Sequence, residues 1–398
     1  MIYDSLFYIP SLFLSVLIYW NLQSVKWRHA FLALASIAII TYSLGFYQNL
    51  TQSMVVPILL SGMVFLMGQW VRAHPKLLYL FLTITVPLTF LCFYKYFTPL
   101  IEKFFHVPYL AFPLGISYYS FKHFHYLIEC SRGRFEGRSL SEYFSYIFFF
   151  PMFIAGPIER FDRYTEQAEK AAFSWDNVSL GLERILMGMM KKFILADLII
   201  YSLIPSTPFM KDFGLSLEWY QLWVVFFLRF LLTYFDFSGY TDMIIGTGKF
   251  FGFDLMENFN FPVLRASIAD FWRAWHISLS SWARDYVYFP LLIQLRNTTI
   301  PLMATMLTIG LWHSAHPLWI IWGLHHGSGL VIHSYFQRTA SKVWWLQNMR
   351  QTKLWNLFGV LAVWWWVSLG YCLTFPMIGR YAPALYVKLI TFGWVDLS

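Results

Sequence analysis

Long apolar runs follow one another along nearly the whole chain, and the polar connectors between them are too short to fold alone. A helix needs about 20 mostly apolar residues to cross a bilayer. Segments of that kind fall near 6–22, 29–48, 54–71, 77–97, 108–128, 179–204, 217–234, 300–314, 317–336, 355–376 and 381–395. Shorter or interrupted apolar pieces near 141–157, 239–253 and 262–292 read as re-entrant or interfacial helices. Broken backbone at membrane depth is tolerated only where protein or a cavity covers it. Hydrophobic residues make up 58% of the chain and charged residues 13%, against about 25% charged in a soluble protein. So much apolar surface has no place in a water-soluble core. The expected fold class is all-α, a polytopic membrane protein of about 11 transmembrane helices plus the partial ones.

Basic residues orient such a bundle. Lys26 and Arg28 sit in the first short loop, Arg72 and Lys76 in the third, and Arg132, Arg134 and Arg138 after the fifth apolar run. The loop Gln48–Ser53 carries no charge. This alternation places the N-terminus outside and the 72–76 and 132–138 loops in the cytoplasm. Met1–Asp4 has no basic region of the kind that precedes a cleaved signal, so the first apolar run is expected to stay as a span. The net charge of +8 is scattered among the spans. That suits anionic lipid headgroups, not nucleic acid. Cys92, Cys130 and Cys372 are far apart and offer neither a disulfide framework nor metal-ligand spacing; no metal is expected. The longest polar stretch, Glu159–Asn177, is too short for a separate domain, so residues 1–398 read as one integral membrane domain.

Polar residues inside apolar sequence gather in the second half of the chain. Asp236 and Asp242 flank Gly239, which is expected to break the helix and let Asp242 either cap the next one or line a cavity. Asn258 and Asn260 precede Pro262 in a turn. From Ser267 to Pro290 an amphipathic segment follows, in which Trp272, His276 and Leu279 share one helical face, Trp275 lies on the adjacent one, and Arg273 neighbours His276. An arginine there calls for an anionic partner, such as a phosphate-bearing thioester donor or a lipid headgroup; the plainer alternative is snorkelling to the interface. Trp312-His313-Ser314 ends a short apolar helix, and His316, Trp322, His325 and His326 follow. The small residues after His313 are expected to admit another backbone or a substrate. His325 reads as a packing or hydrogen-bonding residue. His276 and His313 each follow a tryptophan at membrane depth. Imidazole is costly there and faces a bundle interior or a wet cavity, and it is the side chain best suited to move a proton near neutrality. The serines beside His276 would allow a Ser–His pair, but no Gly-x-Ser-x-Gly elbow exists. His123-x-His125 lacks a third zinc ligand.

These segments resemble the membrane-bound O-acyltransferase superfamily in its bacterial branch, over about residues 110–340. The landmarks are Phe112-Pro-Leu-Gly-Ile-Ser117, Phe150-Pro-Met-Phe-Ile-Ala-Gly-Pro157-Ile-Glu-Arg160, Asp236-Phe-Ser-Gly-Tyr-Thr-Asp242, Glu257-Asn-Phe-Asn260, Phe271-Trp-Arg-Ala-Trp-His276 and Gly310-Leu-Trp-His313. The resemblance implies that His313 is catalytic and His276 its partner. It implies helices around a central tunnel in a bacterial cytoplasmic membrane. The reaction it implies moves an acyl group, acetyl or D-alanyl, from a cytoplasmic thioester to a hydroxyl of an extracytoplasmic polysaccharide, directly or through an extracytoplasmic partner protein. No cofactor is bound; acetyl-coenzyme A or a phosphopantetheine carrier protein serves as substrate. His276, Arg273, Asn258 and the Trp312 and Trp275 indoles are candidate donors to the developing oxyanion, with Asp236 a further candidate for binding. Ser314 stands where the family often has glycine. A transporter or flippase of an envelope precursor would suit the same intramembrane polar groups, but it predicts internal repeats in both halves. A non-enzymatic scaffold of a polysaccharide secretion complex is the other rival. The arginines 132, 134 and 138 are expected either to anchor loops to headgroups or to steer anionic donors inwards. Cysteine substitutions at 132–138 should react with an impermeant thiol reagent only from the cytoplasmic side; labelling from outside intact cells would reverse this orientation.

Overall fold

The computed structural model describes residues 8–45, 50–98, 101, 113–204, 216–374 and 381–395. Met1–Asp4, the parts of the expected spans at 6–7, 46–48, 108–112 and 375–376, and positions 48–49 of the uncharged loop lie outside the described residues. Among the described residues the regular structure is helical, apart from one isolated antiparallel bridge between Phe259 and Trp275. Four stretches, at 54–73, 77–97, 219–250 and 353–372, are long and apolar enough to cross a membrane. By internal contacts the chain divides into two compact units, residues 1–185 with 242–256 and residues 186–241 with 257–398.

The first unit contains α1 (Tyr8–Asn21), α2 (Val25–Gly45), α3 (Leu50–Ala73), α4 (Leu77–Cys92), α5 (Ile116–Ser131), α6 (Leu140–Phe148) and α7 (Phe161–Lys170). It also takes the start of α8 (Trp175–Met189) and the end of α9 (Trp219–Phe250). Its core is aromatic: Tyr126 and Tyr143 have ring centroids 4.4 Å apart, and Tyr164 stacks on Phe253 at 4.8 Å. Such rings supply large buried area in defined geometries. Several polar groups within it are paired. His123 Nδ1 lies 2.7 Å from the Tyr143 hydroxyl, and His125 Nε2 accepts the Phe161 amide at 3.0 Å. Lys122 donates to the Tyr146 carbonyl at 3.0 Å. The two histidines of the His-x-His pair thus hold helices together.

Glu159, from the landmark that ends at Arg160, is fully buried and joins two chain segments of this unit, 159–163 and the one at Met256. Its carboxylate accepts the Arg160 amide at 3.1 Å, the Met256 amide at 2.9 Å, and Arg163 Nη1 at 3.1 Å. Burial pushes the Glu159 carboxyl above its ordinary value, and the Arg163 guanidinium opposes that shift. The basic loop is paired too: Arg132 and Arg134 both reach Glu129, at 2.6 and 3.1 Å, and Arg138 reaches Glu142 at 2.9 Å as well as Glu169. Their charges are partly cancelled within the loop, which weakens any steering field.

The second unit holds the rest of α8, which continues as a π-helical stretch over Met190–Ile200 and a last turn at Tyr201–Leu203, and the first part of α9. After these come α10 (Ile268–Ala274), α11 (Ile277–Ala283), α12 (Phe289–Leu295), α13 (Thr299–His313), α14 (Pro317–Ala340), α15 (Trp344–Arg350), α16 (Lys353–Cys372) and α17 (Ala382–Ile390). Two expectations are corrected here. Helix α9 runs through Gly239 without the expected break. A Cβ at Gly239 would lie 2.6 Å from the Gly188 carbonyl oxygen, so the glycine serves close helix approach. Asp242 therefore caps nothing: it sits within α9 and pairs with Arg184 at 2.8 Å.

Glu159→Ala leaves the Arg160 and Met256 amides without their acceptor, at about 1–3 kcal/mol for each buried donor left without a partner, while Arg163 keeps its bond to the Asp254 carbonyl. The purified variant in detergent should melt well below the parent, and Glu159→Gln, which keeps an acceptor oxygen, should fall between them. Equal melting temperatures for parent and Glu159→Ala would remove Glu159 as an anchor.

Candidate active site

His276 does not lie on a continuous helical face. It occupies the junction between α10 and α11 with a left-handed backbone (φ 44°), a conformation that costs a non-glycine residue about 1–3 kcal/mol. The segment Asn258–Asn260 holds it there. The Asn260 amide donates to the Ala274 carbonyl at 3.0 Å, and the Ile277 amide donates to the Asn258 carbonyl at 2.9 Å. The Asn258 side chain, wholly buried, accepts the Ser278 hydroxyl at 2.6 Å and the Ser278 amide at 3.3 Å. Three positions around the histidine, Ala274, Ile277 and Ser278, are thereby tied to one short turn. The asparagine, expected as an oxyanion donor, is spent on the local backbone through its carbonyl and Oδ1. Its Nδ2 is buried without a hydrogen-bond partner among the described residues.

The imidazole of His276 is 5% exposed and meets the edge of Phe237 at 4.8 Å between centroids. On another side lies Trp312, at 6.2 Å. Trp312 also packs against His313 at 4.6 Å. The two histidines, remote in sequence, thus converge on one indole. His313 is half-buried at the last position of α13. Besides Trp312 it stacks on Trp319 at 4.4 Å and meets Trp322 edge-on at 5.6 Å. Three indoles surround an imidazole that keeps partial access.

Helices α13 and α14 approach closely enough for this because of two glycines. A Cβ at Gly310 would come within 2.4 Å of the Trp319 carbonyl oxygen, and one at Gly323 within 2.8 Å of the Met306 carbonyl oxygen. The small residues that matter lie before His313 and across from it. Ser314, expected to permit the approach, is an extended cap whose hydroxyl accepts the His316 amide at 3.1 Å.

The other expected residues are spread around this pair. Trp275 packs on Phe271, Phe259 and Phe230 at 5.1–5.6 Å, and so buttresses the turn. Asp236 pairs with Lys192, which also reaches Asp197 at 3.2 Å. Arg273 pairs with Asp270 at 2.5 Å, supplying in the chain itself the anionic partner that was expected from a ligand. His325 makes two bonds, to the Tyr386 hydroxyl at 2.8 Å and the Trp366 carbonyl at 2.9 Å, as befits a packing residue. None of the serines after His276 makes a Ser–His pair in the recorded bonds: Ser278 donates to Asn258, Ser280 to the Trp275 carbonyl and Ser281 to the Ser278 carbonyl. Sequence reasoning missed Phe237 and gave His326 no role. His326 meets Trp272 and Trp322 at 5.1 and 4.5 Å, behind the indole wall of His313. Its spacing of four from Trp322 was the available signal.

Residues 11–379 match the family model described as MBOAT, the membrane-bound O-acyltransferase family. A probable alginate O-acetylase of Azotobacter vinelandii is 41% identical over 234 residues, which is 57% of this chain and 46% of that protein. A peptidoglycan O-acetyltransferase of Helicobacter pylori is 32% identical over 339 residues, 72% of this chain and 62% of that protein. A teichoic acid D-alanyltransferase of Bacillus subtilis is 31% identical over 258 residues, 61% of this chain and 64% of that protein. The chain spans about half the length of the alginate O-acetylases it matches.

The turn around His276 makes a direct prediction. Asn258→Ala removes both bonds to Ser278, whereas Ser278→Ala removes one and leaves the amide bond. Asn258→Ala should lose about 1–3 kcal/mol of stability and Ser278→Ala distinctly less. Thermal melting of the two purified variants reads this, and the reverse order would mean that Ser278 is held by something else.

Proposed function

Because this chain belongs to the membrane-bound O-acyltransferase family, we propose that it moves an acyl group from a cytoplasmic thioester to a hydroxyl of an extracytoplasmic polysaccharide. Acetyl is favoured, in keeping with the acetyl-transferring names of the relatives at higher identity, and D-alanyl is the second choice. Transfer is direct or passes through an extracytoplasmic partner protein. The donor is acetyl-coenzyme A or an acylated phosphopantetheine carrier. The protein sits in a bacterial cytoplasmic membrane with about 11 spans around a tunnel that joins the two sides.

The observation that carries the reading is the convergence of His276 and His313 on Trp312. His313 is the general base. A sugar hydroxyl is a poor nucleophile until its proton is taken, and a positioned base contributes roughly 10²–10⁴-fold. In this scheme the His313 imidazole accepts that proton as the hydroxyl oxygen attacks the thioester carbonyl. The tetrahedral intermediate collapses with cleavage of the C–S bond, and the imidazolium returns the proton to the departing thiolate. An ester and a free thiol result, so atoms and charge balance.

His276 polarises or orients the reacting carbonyl. Its constrained backbone fixes the ring before substrate arrives, which is the requirement for electrostatic assistance to the oxyanion. Trp312 sets the separation of the two imidazoles. Asn258 and Trp275 act one step back, holding the turn. Asp236, paired with Lys192, and Arg273 are proposed to contact the substrates away from the reacting atoms.

His313→Ala should abolish acyl transfer while the protein still inserts and accumulates. His276→Ala should lower it by roughly 10²–10³-fold without removing it, as expected for loss of one oxyanion donor. Mass analysis of surface glycans from cells with and without each variant reads both effects and names the acyl group. Normal acylation with His313→Ala would overturn the mechanism. A silent His276→Ala combined with a dead His325→Ala would mean that the pair is misassigned.

A further inference from the structure

Within the second unit α10, α11 with its continuation, α13 and, through Leu330, α14 line a cavity of about 410 Å³. That lies inside the range of roughly 300–1,000 Å³ usual for small-ligand sites. The way each helix contributes is regular. From α11 and its continuation come Ile277, Ser280, Ser281 and Arg284, at i, i+3, i+4 and i+7. Helix α13 contributes Leu302, Thr305, Met306 and Ile309 with the same spacing. Helix α10 adds Trp272 and Arg273. Two full helical stripes therefore face one another without filling the space between them. A stripe left unfilled in this way is unusual, because helix interfaces normally close to the density of a crystal.

The two walls differ in chemistry. The α10–α11 side is cationic, with two guanidiniums, and carries the hydroxyls of Ser280 and Ser281, whose protons go to the Trp275 and Ser278 carbonyls. The α13 side is apolar except for Thr305, whose hydroxyl is turned to the Pro301 carbonyl at 2.7 Å. No acidic residue lines the cavity among the described residues. Arg273 gives Nη1 to Asp270, and Arg284 gives Nε to Asp285 at 2.9 Å. Each guanidinium has five N–H donors in a fork suited to phosphate, so most of them remain available. Trp272 adds a buried indole N–H that has no hydrogen-bond partner among the described residues. A donor left so is costly in a dry interior and signals an acceptor yet to arrive.

We infer that this cavity binds the phosphate-bearing end of an anionic membrane lipid. The phosphate lies between Arg273 and Arg284, and the first part of the acyl chain lies along Leu302, Met306 and Ile309. Lipid is the favoured source because the neighbouring helix α14 exposes Ile320, Leu324 and Ile332, the surface that acyl chains solvate. The cavity is also one residue removed from the catalytic pair, since Trp272 packs on Trp322 at 5.8 Å and Trp322 on His313. Bound lipid would immobilise Trp272 and through it the wall of the site. The inference stands on the cavity itself and not on the proposed reaction.

The test uses the full chain, purified in a non-ionic detergent and stripped of lipid, with dioctanoyl phosphatidylglycerol as probe and dioctanoylglycerol as its uncharged control. Phosphatidylglycerol should bind and raise the melting temperature, and dioctanoylglycerol should do neither. The double variant Arg273→Gln with Arg284→Gln should bind the probe at least about tenfold more weakly, since each arginine supplies charge-assisted hydrogen bonds. Ser281→Phe, which fills the cavity, should exclude the probe; if that variant does not fold, the arginine variant decides alone. Equal binding of the uncharged control, or unchanged binding by the double variant, overturns the inference. Displacement of the probe by coenzyme A at equal concentration overturns it too, and assigns the cavity to the thioester donor.

Discussion

Everything in this molecule follows from the cost of an unpaired peptide group in hydrocarbon. That cost makes the regular structure of the described residues helical apart from one bridge, and it makes a departure from a helix inside the apolar sequence informative. The clearest departure is at His276, where the ladder stops between α10 and α11. The freed groups there are taken up by the segment at Asn258–Asn260, which lends two backbone bonds and a side chain. The interruption is thus covered by protein. It turns a side chain out of helical register and into contact with Trp312 and Phe237. The candidate site is formed where the helix is broken, and Asn258 takes up the groups that the break frees.

The division of labour among aromatic side chains follows the same logic. A membrane interior offers little hydrophobic drive for one helix to choose another, so shape and close approach have to do the choosing. Glycines at 310 and 323 bring α13 and α14 together, and the indoles at 319 and 322 then have nowhere to go except around His313. In the first unit the corresponding task falls to tyrosines and phenylalanines, and its polar side chains are absorbed into that packing.

Much of this was legible in the sequence. Helices occur at each of the expected long apolar segments, within the described residues. The two histidines could be picked out because imidazole preceded by tryptophan stands out in so apolar a context. The register around them could not be read. The spacing of Trp272, His276 and Leu279 suits a helix, and nothing local to it reveals that Asn258, some way upstream, competes for the same backbone. Gly239 misled for a related reason. Glycine breaks a helix in water, but between packed helices it is where one backbone can touch another, and Gly188 is its counterpart. The ion pairs of Arg273 and Asp242 differ in how far sequence could show them. Asp270 stands three positions before Arg273, at the spacing that brings side chains together on a helix, while Arg184 is distant from Asp242 in the chain.

The contact between α13 and α14 has a mechanical side. Where Gly310 meets Trp319 and Gly323 meets Met306, main chain rests on main chain. Side-chain contacts can yield by hopping between rotamers, and a seam of this kind has none to hop between. It is stiff in shear. The two helices that flank His313 move as one body, and any opening towards the imidazole has to come from rotation of the indoles about their own χ angles. Rings held on a fixed frame have a small number of discrete positions, and how readily they turn is set by how tightly the rings behind them are packed.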